Sequence, residues 1–134
     1  MRKRITGILL AVLILSIAAT TVYAATMSPR WINTQSMTLS LSFSGGQANA
    51  ASIINGNRNT ASIVATYSLQ ERVGNTWVTV HTWPTVTSDS MRLGFTGTAS
   101  ATSGRTYRLF VTATVTNTSG VSETITNYHV RVFN

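Results

Sequence analysis

The 134-residue chain has no cysteine, two prolines, three carboxylates (Glu71, Asp89 and Glu123) and two histidines (His81 and His129), and charged side chains make up only 10% of it. Each shortage excludes something. Without cysteine there is no disulfide framework, no thiol nucleophile, no thiolate metal site and no cysteine to carry a lipid. The histidines and carboxylates stand far apart, none at a ligand spacing such as His-x-x-x-His or Asp-x-Asp, so no metal centre is expected. There is no Gly-x-Ser-x-Gly elbow for a serine hydrolase. Glu71 and Glu123 fall at a strand end and beside a turn, which does not make the facing pair that glycoside hydrolysis needs. The inventory predicts a protein that is not an enzyme and holds no cofactor.

What is present begins with Arg2-Lys3-Arg4, continues with the apolar run Ile5 to Ile17, broken only by Thr6, Gly7 and Ser16, and closes on Val22-Tyr23-Ala24. A positive start, an apolar middle and small residues at the −3 and −1 places read as a secretory signal over residues 1–24, cleaved after Ala24 with Ala25 the neighbouring alternative. The apolar run is shorter than the about 20 residues needed to cross a bilayer, so no stable membrane insertion is expected after cleavage. Residues 25–134 are then one secreted domain, a length that can bury a core without covalent staples. Seven arginines and no lysine follow Ala24, and against the three carboxylates they leave a net charge of +4. They form no cluster and no nucleic-acid motif accompanies them, so nucleic acid is not an expected partner. The balance does permit loose, salt-dependent association with an anionic cell-wall polymer or membrane surface.

Residues 25–134 hold 20 Thr and 14 Ser, distributed between apolar residues at alternate positions. Period-two alternation is the signature of a half-buried strand. Met37, Leu39, Leu41 and Phe43 share one face of a first run, which Gly45-Gly46 turns. Gln47 to Asn55 places Ala48, Ala50, Ser52 and Ile54 on one side. Thr60 to Arg72 sends Ile63, Ala65, Tyr67 and Leu69 inward, and Val73-Gly74-Asn75-Thr76 leads as a hairpin turn into Trp77 to Trp83, which Pro84 stops. Met91, Leu93 and Phe95 define a fifth strand, followed by a loop from Gly97 to Gly104. Thr106 to Thr116 has Tyr107, Leu109, Val111, Ala113 and Val115 on one face with Arg108, Thr112 and Thr114 opposite. Asn117-Thr118-Ser119-Gly120, which also fits a glycosylation sequon, reads as the turn into Val121 to Phe133. Seven strands at this spacing and no helical periodicity after Ala24 predict an all-β fold, an antiparallel seven-stranded sandwich.

Gly104-Arg105-Thr106-Tyr107, opening a long alternating strand, resembles the tyrosine corner of immunoglobulin-like and fibronectin type III-like sandwiches. That resemblance implies a structural role for Tyr107, its ring in the core and its hydroxyl bonded back to the backbone. Together with Trp77-Val78-Thr79-Val80 and Trp83, the chain resembles small secreted β-sandwich proteins of Gram-positive bacteria. The paired cysteines of antibody domains are missing, so their intersheet disulfide does not carry over.

In the fourth strand, Val78 and Val80 share one face and Trp77, Thr79, His81 and Trp83 the other. Val78 and Val80 are expected inward, which leaves the two tryptophans partly exposed, roughly 20 Å apart at about 3.3 Å per residue. Trp77, Trp83 and His81 are therefore the candidate ligand contacts, for sugar rings or a protein partner. The plainer reading has the two rings lid the sandwich edges, or has a bulge reverse the alternation and bury one of them. Trp31, just after Pro29, is expected to seal one end. The leading expectation is surface binding or a structural role at the cell envelope, with cell-wall polysaccharide or protein as partner. The alternatives are a carbohydrate-binding module and a small toxin or bacteriocin, the last disfavoured by low charge density and the lack of an amphipathic helix. Mass spectrometry of culture supernatant is expected to find an N-terminus at or near Ala25; recovery of the full-length chain in membranes alone would contradict the export reading.

Overall fold

A computed structural model describes residues 31–134; the expected leader and its cleavage point lie outside the described residues. Eight antiparallel strands are formed: β1 (Thr34–Ser44), β2 (Gln47–Gly56), β3 (Thr60–Val73), β4 (Thr76–Thr82), β5 (Val86–Ser88), β6 (Arg92–Ser100), β7 (Thr106–Asn117) and β8 (Ser122–Val132). They make two sheets, one in the order β1-β2-β6 and one in the order β4-β3-β7-β8, with β5 also paired to β3. The architecture is an all-β sandwich.

Eight strands are present where the alternation predicts seven. The addition is β5, three residues that pair with Ile63–Ala65 on the part of β3 that β4 does not reach. Pro84 ends β4, because it has no N–H to give a ladder, and the segment that follows is too short for alternation to show. The fifth predicted strand also shifts: Met91 precedes β6 and is exposed, and β6 runs on to Ser100 through part of the expected loop.

The core follows the alternation closely. Ile63, Ala65, Tyr67 and Leu69 of β3 and Leu109, Val111, Ala113 and Val115 of β7 are fully enclosed, opposite Ala48, Ala50 and Ile54 of β2, Leu41 of β1 and Leu93 of β6. Small residues on β2 leave room for aromatic rings from the other layer. Tyr67 stacks on Phe95 with centroids 3.9 Å apart, and Trp83 meets Phe95 edge to face at 5.4 Å. Two hydrogen bonds tie the sheets across this contact: the Trp83 indole N–H donates to the Thr98 carbonyl (3.1 Å), and the Tyr67 hydroxyl donates to Ser52 Oγ (3.0 Å). Burial pushes the Tyr67 phenol above its ordinary pKa despite that bond to Ser52. Gly97 makes this packing possible, since a Cβ there would come within 2.6 Å of the Trp83 indole.

Tyr107, the second residue of β7, is buried beside Phe43, and its hydroxyl accepts the Thr102 N–H at 2.8 Å. Trp31 is half-buried and rests on the core. The start of β1 is fastened by Glu123 of β8. Its carboxylate accepts the backbone N–H groups of Ile32, Asn33 and Thr34 and the Thr34 hydroxyl, while the Asn33 amide donates to the carbonyls of Val115 and Val121. Partial burial pushes the Glu123 pKa up, and these donated bonds outweigh it, leaving the group below its ordinary value.

Trp83→Ala is expected to cost about 3–5 kcal/mol, read by denaturant unfolding, with Trp83→Phe costing less because the ring contact survives. Glu123→Gln should cost roughly 1–2 kcal/mol at neutral pH. Because the folded pKa is depressed, the Glu123 contribution is complete above the ordinary carboxylate value and is lost as pH falls through the folded one. Melting temperature followed against pH should therefore show an acid limb that Glu123→Gln flattens.

Candidate functional site

The site residues were expected on β4, and the register there decides where they go. His81 lies opposite Leu69 while Thr79 lies opposite Gln70, so Val80 is an extra residue on β4 with no partner on β3. This bulge exchanges the two faces of the strand. Ahead of it, Trp77 and Thr79 point outward beside Arg72 and Gln70; beyond it, Trp83 points into the core. The expectation that Val78 and Val80 face the core is corrected: they are 45% and 44% exposed, whereas Trp83 is 8% exposed. β4 is an edge strand that leans on β3, so its inward parity carries little burial. The two tryptophans consequently do not share a surface. His81 is exposed and meets the buried Trp83 edge-on at 4.9 Å, which leaves it apart from Trp77.

Trp77 instead joins residues of three other strands on the outward face of the five-stranded sheet. Rows across β4, β3, β7 and β8 run Thr79–Gln70–Arg108–Val130 and Thr82–Ser68–Phe110–Tyr128. At their meeting point sits the Arg108 guanidinium, 4.6 Å from the centroid of Trp77, 5.3 Å from Phe110 and 4.9 Å from Tyr128. Each distance is within the about 6 Å range of cation–π attraction. Arg108 Nε donates to Gln70 Oε1 at 2.6 Å, and the Gln70 amide in turn donates to Thr79 Oγ1 at 3.3 Å, fixing the plane of the guanidinium. A second arginine, Arg72, lies 6.0 Å from the Trp77 ring. The patch is open on its β8 side, where Tyr128 is 55% exposed and Val130 and Val132 are exposed beside it.

Further along the strands the same face becomes a field of hydroxyls. Thr112, Thr114 and Thr116 of β7 pair with Thr126, Thr124 and Ser122 of β8, and Thr66 of β3 lies beside Thr112. The opposite sheet presents two adjoining shallow hollows of about 460 and 520 Å³, walled by Ser40 and Thr96 and floored by Ala51. Two of the three carboxylates are engaged elsewhere, and Asp89 follows β5, outside the four strands that carry the cluster. Glu71 pairs with Arg105 at 2.6 Å, a bond that raises the Arg105 pKa, and Glu123 holds the start of β1. His81 and His129 stand on opposite edge strands of one sheet, with β3 and β7 between them. Among the described residues no group of three His, Cys, Asp or Glu is placed to hold a metal ion.

Of the three expected contact residues, the structure keeps Trp77 on a multi-residue surface, buries Trp83 and leaves His81 outside the cluster. Sequence reasoning missed Gln70, Arg108, Phe110 and Tyr128. One signal was available: Phe110 falls at the solvent parity of β7, with Arg108 and Thr112, where an aromatic ring has no core to fill.

No protein-family model and no curated protein sequence matches the chain. Among solved structures it is similar to the crystal structure of Spo0M, a sporulation control protein from Bacillus subtilis, with 12% identity and a TM-score of 0.38 over 77% of this chain and 49% of that one. The chain thus spans about half the length of that protein.

Proposed function

We propose that the chain is a secreted, non-enzymatic, immunoglobulin-like β-sandwich that acts by surface contact at or outside the cell envelope. The contact surface in this reading is the outward face of the five-stranded sheet. The observation that carries it is the Arg108 cluster. Tryptophan, tyrosine and arginine are the residues that dominate binding energy at recognition surfaces, and here they are gathered from three strands onto solvent-facing positions where the fold gains no core from them.

The immunoglobulin-like assignment is supported by the strand order, β1-β2-β6 against β4-β3-β7-β8, and by the Tyr107 hydroxyl reaching back to the Thr102 N–H as a tyrosine corner does. The non-enzymatic reading is supported by the separation of the two histidines and by the structural engagement of Glu71 and Glu123. Export is supported by the leader pattern of residues 1–24. A second reading, a carbohydrate-binding module, is favoured by the planar rings of Trp77 and Tyr128 at the surface; it no longer draws on Trp83.

Trp77→Ala is expected to reduce retention on purified cell-envelope material at least tenfold, about 1.4 kcal/mol, with little change in melting temperature. A fall in melting temperature with retention unchanged would assign Trp77 to packing and remove the surface-contact reading.

A further inference from the structure

We infer that the Arg108 face binds an acidic linear glycan, with a uronate carboxylate seated on the Arg108 guanidinium; this rests on the surface-contact reading above. The first argument is hydrogen-bond inventory. Arg108 is half-buried among three rings, and its Nε is satisfied by Gln70, while the remaining guanidinium N–H groups have no acceptor among the described residues. A guanidinium presents five donors in a planar fork that matches a carboxylate. The rings and Gln70 hold that fork in place, so a bound carboxylate costs little side-chain ordering.

The second argument is charge. Arg72 and Arg108 both lie on this face, whereas Glu71 and Glu123 occupy the opposite parity of their strands, opposite Tyr107 and Val115. The face is therefore complementary to an anion.

The third argument separates a glycan from an acidic peptide. Arg108 and Gln70 stand on β7 and β3, both paired on two sides, so an extended peptide adding to the free edge of β4 or β8 would lie beside the guanidinium and not across it. A sugar chain needs no strand edge. It can lie flat on Trp77 and Tyr128 and continue over the hydroxyls of Thr112, Thr114, Thr124 and Thr126. From Arg108 to Thr116 that track is roughly 27 Å long at about 3.4 Å per residue, room for several sugar units.

The test is calorimetric titration of the purified protein with a linear oligouronate, a neutral gluco-oligosaccharide, a polyol-phosphate oligomer and a polyglutamate peptide of matched length. The oligouronate is expected to bind at least tenfold more tightly than the other three, and more weakly as salt rises. Arg108→Gln should abolish that preference. Arg108→Lys, which keeps the charge and loses the fork, should lose about tenfold at an unchanged melting temperature, and Arg131→Gln, the same charge change off this face, should bind as the unmodified chain does. Equal binding of the neutral oligosaccharide, preference for the phosphate or peptide probe, or full affinity in Arg108→Lys would each overturn the inference. If the oligouronate fails while Trp77→Ala still lowers envelope retention, the glycan assignment is wrong and the surface-contact reading stands; if retention is also unchanged, both are wrong.

Discussion

The structure depends on a contact between its two layers made by three aromatic rings in place of a covalent bond. Tyr67 from one sheet and Phe95 from the other stack face to face, and Trp83 closes the end of the stack. The stack is directional because both polar handles cross the gap, the Trp83 N–H to the Thr98 carbonyl and the Tyr67 hydroxyl to Ser52. Hydrophobic burial alone would let two sheets slide, whereas these two bonds fix which row of one sheet meets which row of the other. Alanines on β2 and Gly97 on β6 are the counterpart, yielding the volume that the rings fill.

The surface cluster is a by-product of the same arrangement. Trp83 reaches the core because Val80 bulges out of register, and before that bulge the strand has the opposite parity, so Trp77 faces outward. The two tryptophans serve different layers of the molecule for one local reason. Carboxylates are then spent on structure: Glu123 gathers the first residues of the described chain, and Glu71 neutralises Arg105. With both glutamates committed and Asp89 beyond β5, the strands of the cluster keep Arg72 and Arg108 without an opposing carboxylate on their outward face, and the aromatic rings beside Arg108 lower its exposure without cancelling its charge.

Much of the fold was legible because alternation is unbroken from Ile63 to Leu69 in β3 and from Tyr107 to Val115 in β7, with Tyr67 and Tyr107 falling on the same parity as their aliphatic neighbours. β5 was not legible, since three residues have no period and their pairing is chosen by the unused length of β3. The parity of β4 was not legible either: Trp77-Val78-Thr79-Val80 alternates equally well on both faces, and the bulge that decides between them arises from pairing with β3. The Arg108 cluster draws on residues brought together by the ladder order β4-β3-β7-β8, and no linear spacing encodes that order. Phe110 was its one visible trace.

The Val80 bulge also sets which changes in length β4 can absorb. Side chains alternate with a period of two, so adding or removing a pair of residues between Val80 and Trp83 conserves the inward aim of the indole, whereas a single insertion or deletion turns the indole to solvent and draws Thr82 or Pro84 toward the interior. A lineage carrying this architecture can lengthen its β4–β5 connection beyond Pro84 freely, while the stretch before it is confined to even steps.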